Sequence, residues 1–139
     1  TETFGKPFNK QHQPVEGTRT FIPNSICHNA AILASQMKAK ALIAFTHSGY
    51  TGIRLSSHRP SSKIHVFTSN KKLLRKMSLV WGVECYYIPV YDHLDNAVAD
   101  SLTILKDKKL LSDGDIVVHV ASTPLNLHGR TNTMRASSV

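Results

Sequence analysis

Three features of the sequence predict an α/β fold in three layers, with helices on both faces of a five-stranded, mostly parallel sheet that carries one antiparallel strand. Short apolar runs such as Ala41–Phe45 are continuous rather than alternating, which is the pattern of a strand covered on both faces. The segments between such runs carry apolar residues at helical spacing. The last two strand-like runs are separated by a loop alone, and a pair joined without a helix pairs antiparallel.

The elements follow in chain order. Residues 1–22 are polar, contain Gly5, Pro7, Pro14 and Gly17, and lack the apolar segment of a secretory signal, so they read as a tail or linker before a domain over 23–139. Pro23-Asn24 offers a helix start, since an Asn side chain can accept from free first-turn amides. A helix over 25–38 would turn Ile26, Ala30, Leu33 and Met37 to one face. Ala41–Phe45 is the first, central strand. After the loop Thr46, His47, Ser48, Gly49, a short helix over 51–58 is stopped by Arg59-Pro60. Lys63–Thr68 is a second strand, and Asn70 caps a third helix with Leu73, Leu74, Met77 and Val80 inward. Trp81 reads as a packing anchor before Gly82, which can close that helix in the left-handed conformation. A third strand over 83–88 places Cys85 in the core. The longest helix is expected over 92–108, with Leu94, Val98, Leu102 and Leu105 buried, acidic Asp92 and Asp95 at its start and Lys106 and Lys108 at its end, as the helix dipole favours. Ser112-Asp113-Gly114-Asp115 is a turn, Ile116–Ala121 a fourth strand, 124–129 a loop and 131–139 the last strand.

Composition narrows the function classes. A chain of 139 residues suits one domain, and no apolar run nears the roughly 18 residues that cross a bilayer. Two distant cysteines, Cys27 and Cys85, suit reduced thiols and a cytoplasmic setting better than a disulfide framework. The eight histidines are scattered without metal-ligand spacing, so most read as surface or lightly buried residues and no metal site is expected. The net charge of +8 is lopsided: ten basic residues (Arg19, Lys38, Lys40, Arg54, Arg59, Lys63, Lys71, Lys72, Arg75 and Lys76) lie between Gly17 and Val83, with no Asp or Glu among them. Such a field attracts anions, either nucleic acid or phosphorylated metabolites. Aromatic residues are not interleaved with Lys71, Lys72, Arg75 and Lys76, which makes nucleic acid the weaker reading.

No Walker or GxGxxG loop and no GxSxG elbow occurs. Asp113 and Asp115 flank a glycine and are turn formers rather than paired catalytic carboxylates, so no catalytic residue is assigned. The stretch Thr46, His47, Ser48, Gly49, Tyr50, Thr51 is different in kind. It follows a parallel strand and leads into a helix, where open sheets bind ligands and helix N-termini favour anions. Gly49 would let the backbone approach a ligand, and Thr46, Ser48 and Thr51 supply hydroxyl donors. An ordinary strand-to-helix turn would use the same residues.

Four stretches, "AKALIAFTHSGYTGIRLSSHRPSSKIHVFT", "LVWGVECYYIP", "LSDGDIVVHVASTP" and "GRTNTMR", together resemble the C-terminal domain of pyruvate kinase. The resemblance implies a regulatory and oligomerisation domain without catalytic residues. Its parent enzyme moves phosphate from phosphoenolpyruvate to ADP in a separate barrel domain, using magnesium and potassium. The implied partners are that barrel in the same chain, other subunits of a homo-oligomer, a tetramer in the full enzyme, and a phosphorylated effector. Neither a membrane nor, on this reading, nucleic acid is a partner. Carried over by position, Thr46, His47, Ser48, Gly49, Tyr50 and Thr51 match the effector phosphate loop, and His128, Gly129 and Arg130 its second half. Tyr50 stands where many members have Arg, which puts a sugar-bisphosphate preference in question. The competing class is a free-standing α/β module that binds nucleic acid or nucleotide through the basic first half.

Overall fold

The computed structural model describes residues 20–122 and 131–139. Residues 1–19 of the tail expected over 1–22, and residues 123–130, which include the loop expected over 124–129, lie outside the described residues; the end of that tail, Phe21 and Ile22, is helical. Nine elements follow one another: α1 (Phe21–Met37), β1 (Ala41–Phe45), α2 (Tyr50–Ser57), β2 (Lys63–Thr68), α3 (Lys71–Met77), β3 (Val83–Tyr87), α4 (Leu94–Asp107), β4 (Ile116–Ala121) and β5 (Thr133–Ser138). The strands form one sheet in the order β3-β2-β1-β4-β5. β1 pairs parallel with β2 and β4, β2 pairs parallel with β3, and β5 runs antiparallel to β4. The chain therefore builds outward from β1 through β2 to β3, then reverses to lay β4 on the other side of β1.

Period-two alternation explains the three layers. Leu42 and Ala44 join Ile64, Val66, Val118 and Val120 on one face, under Cys27, Ala30 and Ala34 of α1, Leu55 of α2 and Leu73 and Met77 of α3. Ala41, Ile43 and Phe45 join Phe67 and Val117 on the other, under Ala97, Val98 and Leu105 of α4. Covered on both sides, all five residues of β1 are buried, as its continuous apolar run requires.

Several boundaries differ from expectation for identifiable reasons. α1 begins at Phe21, with Pro23 inside its first turn, a place where the missing proline N–H has no intrahelical partner to lose. Asn24 is no cap; its amide donates to Thr20 Oγ1 at 3.2 Å. The buried line of α1 runs through Cys27, Ala30, Ala31 and Ala34, while Ile26 and Leu33 are only partly buried and Met37 is exposed. The small residues face the sheet, which lets the helix approach closely; the large ones flank that line. With 17 residues α1 exceeds the 14 of α4 and is the longest helix among the described residues. α3 is capped as expected, Asn70 Oδ1 accepting from the Lys72 N–H at 3.2 Å. It ends at Met77, short of Val80, and gives way to tighter turns closed by bonds from Val80 N to Met77 O and from Val83 N to Val80 O. Gly82 therefore takes its left-handed φ of 68° in that later turn. Trp81 is no core anchor: it is 46% exposed, with the Arg59 guanidinium 4.6 Å from its ring centroid. Cys85 is only half-buried on edge strand β3.

Three histidines are exceptions to the surface expectation. His58, His65 and His119 are buried. His65 and His119 flank Ile43 in register. His65 Nδ1 lies 3.0 Å from the Tyr86 hydroxyl. His119 stacks on Phe45 at 5.9 Å with rings 4° from parallel, and neither of its nitrogens has a hydrogen-bond partner among the described residues. Burial pushes both imidazoles from 6.5 down to about 4; Arg135 adds to the effect at His119, while at His65 Glu84 opposes it and Lys63 reinforces it.

Candidate functional site

The candidate site is at the carboxyl ends of the parallel strands, beside the β1/β4 position where strand order reverses, which is where open α/β sheets leave a crevice. β1 ends when the Thr46 N–H makes its bond to Phe67 O at 3.2 Å. The chain then turns within four residues. Gly49 N–H donates to Thr46 Oγ1 at 3.1 Å, Tyr50 N–H donates to Ser48 Oγ at 3.3 Å, and α2 starts with Gly49 at φ 88°. Each hydroxyl accepts from the loop's own backbone, so each keeps its O–H proton for a further acceptor. Asn70 ties the neighbouring β2 end to the loop, its side-chain amide donating to His47 O at 3.1 Å and its N–H donating to Thr68 Oγ1 at 3.0 Å.

Gly49 has a different role from the one its sequence context suggests. A Cβ there would stand 2.7 Å from Leu73 Cδ1 and 3.0 Å from Met77 Sδ, so the open side of this glycine is filled by α3. Its absent side chain serves packing and the left-handed turn rather than the approach of a ligand. Gly52, to which its sequence neighbours point no role, is equally constrained: a Cβ would lie 2.5 Å from Met77 Cε and 2.8 Å from Val66 Cγ2.

A cavity of about 680 Å³ opens in front of the loop. Of the six loop residues, Thr46, His47, Ser48, Tyr50 and Thr51 line it, with Gly49 behind. His128, Gly129 and Arg130 lie outside the described residues; Thr131, immediately after them, lines the cavity and meets Thr51 hydroxyl to hydroxyl at 2.5 Å. Tyr50 is turned toward α1, where its phenol donates to Asn24 Oδ1. The opposite wall is not expected from the sequence: Phe45 and Phe67 come from the sheet, and Ile88, Pro89, Val90 and Tyr91 from the loop after β3. A signal for it exists, because parallel neighbours must end side by side and the loops that follow them converge. Tyr91 donates to Asp100 Oδ2, and this bond, with burial second, pushes its phenol up to about 12.

Among the described residues the cavity wall carries no Lys, Arg, Asp or Glu, so it holds no carboxylate pair for acid-base work. Nor do the described residues include a group of three His, Cys, Asp or Glu able to hold a metal ion. Asp113 and Asp115 stand at the far end of the sheet, Asp115 spent on its turn and Asp113 on an ion pair with Lys106 of α4. Asp115 Oδ2 accepts from the Ser112 N–H at 2.9 Å, and Lys106 Nζ, 2.6 Å from Asp113, holds that carboxyl below its usual range. No described helix is long and apolar enough to cross a membrane.

Comparison with known proteins agrees with this geometry. The family model described as "Pyruvate kinase, alpha/beta domain" matches residues 24–136. Pyruvate kinase of Lactobacillus delbrueckii subsp. bulgaricus is 30% identical over 114 residues, covering 82% of this chain and 19% of that protein. Pyruvate kinase 2 of Synechocystis is 28% identical over 124 residues, covering 89% of this chain and 21% of that protein. Among solved structures, Cryptosporidium parvum pyruvate kinase in complex with ADP superposes with a TM-score of 0.77 at 26% identity, over 84% of this chain and 23% of that one. The chain thus spans about a fifth of the length of these relatives.

Proposed function

Because the chain belongs to the pyruvate kinase α/β-domain family, we propose that it is the regulatory and oligomerisation part of such an enzyme, holding a phosphate-bearing effector at the loop after β1. The observation that carries this reading is the loop itself: Thr46 and Ser48 hydroxyls, pre-set by backbone donors, stand with the start of α2 at one end of a cavity at the sheet's carboxyl edge. A phosphate there would take O–H donors from Thr46 and Ser48 and the N-terminal field of α2, with Arg130 and His128 as the cationic candidates from the following loop.

On this reading the transfer of phosphate from phosphoenolpyruvate to ADP takes place in the barrel part of the enzyme, in the cytoplasm, and the magnesium- and potassium-holding residues belong there. This domain contributes the effector site and, through the antiparallel edge strand β5, a contact with other subunits of a homo-oligomer. The alternative, a free-standing module that binds nucleic acid or nucleotide through the basic first half, draws on α3, where Lys71, Lys72, Arg75 and Lys76 share one short helix and none of the four lines the cavity. Lys71 Nζ lies 5.1 Å from the Tyr87 ring centroid, which brings one aromatic ring to that helix.

Calorimetric titration with inorganic phosphate tests the main reading. Saturable binding is expected, weakened by about 1.5–3 kcal/mol in Ser48→Ala, the scale of one hydrogen bond to a charged group. Equal binding by parent and Ser48→Ala would remove the loop from the site.

A further inference from the structure

β3 is the outermost strand on one side of the sheet, while β4 and β5 lie toward the other edge. Its ladder to β2 fixes which way each of its peptide groups points. Ile64 N–H donates to Gly82 O at 3.2 Å and Ile88 N–H donates to Thr68 O at 2.9 Å, so residues 82 and 88 turn their backbone groups to β2. In a parallel ladder that direction repeats at every second residue. The groups of Glu84 and Tyr86 therefore face β2, and those of Cys85 and Tyr87 face outward. Among the described residues no strand pairs with that outer side. Such an edge is a template for an extended segment, which gains main-chain hydrogen bonds by adding to it.

Cations flank this edge on both faces of the sheet. Val83 and Cys85 pack on the side of α3, and Tyr87, two residues further on, shares that side, with Lys71 Nζ 5.1 Å from its ring centroid. Tyr86 packs on the side of α4, with Lys108 Nζ 5.7 Å from its ring centroid. Lys71, Lys72, Arg75 and Lys76 are exposed and form no ion pair among the described residues. Glu84, the one acidic residue of α3 and β3, is held by Lys63 at 3.1 Å. Lysines beside an edge repel a like-charged strand, a second copy of this one included, and leave the edge open to an acidic one.

The chain's own first residues do not match that field: 1–19 contain Lys6, Lys10 and Arg19 against Glu2 and Glu16, a net positive charge. A nucleic acid would answer the cations of α3 but leave the N–H and C=O groups of Cys85 and Tyr87 without partners. An acidic peptide answers both. We propose that the outer edge of β3 is a docking site for an extended acidic segment of a partner protein, which adds a strand to the sheet and sets adjacent carboxylates against Lys71 on one face and Lys108 on the other. Neither lysine lines the cavity, so this site stands apart from the phosphate reading of the loop after β1.

The test is titration of ¹⁵N-labelled protein with an acetylated and amidated peptide in which a Glu-Glu pair is flanked by Val and Thr, since adjacent residues of a strand face opposite sides. Saturable shifts centred on Cys85 and Tyr87 are expected, with slower hydrogen exchange at those two amides. Lys71→Gln combined with Lys108→Gln should weaken the affinity about five- to tenfold. Lys38→Gln combined with Lys40→Gln, the same loss of charge at the turn between α1 and β1, should change it less than about twofold. The same peptide methylated at all of its backbone nitrogens should not bind. Equal binding of the methylated peptide would mean charge attraction without strand addition and would overturn the proposal. So would tighter binding of an oligothymidylate, an affinity untouched by the change at Lys71 and Lys108, or no binding of the peptide.

Discussion

Replacing Gly49 by alanine should damage the fold before it damages any binding. Two costs are readable from the geometry. The backbone at φ 88° is left-handed, and a Cβ there costs roughly 1–2 kcal/mol. The added methyl also lands 2.7 Å from Leu73 Cδ1 and 3.0 Å from Met77 Sδ. Met77 is fully buried and Leu73 nearly so, so neither can swing into solvent, and overpacking of this kind costs about 1–3 kcal/mol. The sum is about 2–5 kcal/mol, a large share of the roughly 5–15 kcal/mol by which domains are stable. Urea unfolding followed by circular dichroism reads it as a lower midpoint at unchanged slope. A midpoint equal to that of the parent would refute the reasoning and return Gly49 to the role of a ligand-approach residue.

Acid should destabilise the protein through His65 and His119. Both have folded-state values near 4 against 6.5 when exposed, so between those limits the unfolded chain binds more protons, and stability is full above about 6.5 and falls as pH drops toward 4. The loss is on the order of 3 kcal/mol for each ring; His119→Leu should flatten the urea midpoint against pH between 6.5 and 4.5, and a parent midpoint constant over that range would contradict the assignment. The chain alone should show no turnover of phosphoenolpyruvate and ADP with magnesium in a lactate-dehydrogenase-coupled assay, and clear turnover by pure protein would refute the placing of catalysis in the barrel. Self-association through the outer edge of β5 should appear as a concentration-dependent sedimentation coefficient and weaken in Ala136→Pro, whereas a monomer at all concentrations would mean that subunit contacts need other parts of the enzyme.

Where the sequence is legible, one physical cause dominates. The runs Ala41–Phe45 and Ile116–Ala121 lack a polar alternation because both sheet faces are covered, whereas a strand with one wet face would place a polar residue at every second position. Asn70 is readable as a cap because its chemistry is local. The buried side of α1 is harder to read, because its large residues suggest one face while close packing selects Cys27, Ala30 and Ala34. Burial of His65 and His119 is hidden for a similar reason: a polar residue in a strand discloses its face only once register is known. The loop Thr46, His47, Ser48, Tyr50, Thr51 stands out by its position after a strand. Its aromatic wall does not, because Phe67 and Tyr91 come from other strand ends, and the packing role of Gly49 is concealed because its contact with Leu73 is 24 residues away in sequence.

The central claim, that the loop after β1 is an anion site, is tested most directly by titrating inorganic phosphate into ¹⁵N-labelled protein and following each backbone amide. The account expects saturable shifts centred on Thr46, Ser48, Thr51 and Gly52, with α3 unmoved. Shifts centred on Lys71, Lys72, Arg75 and Lys76, or a response at the loop that never saturates, would contradict it.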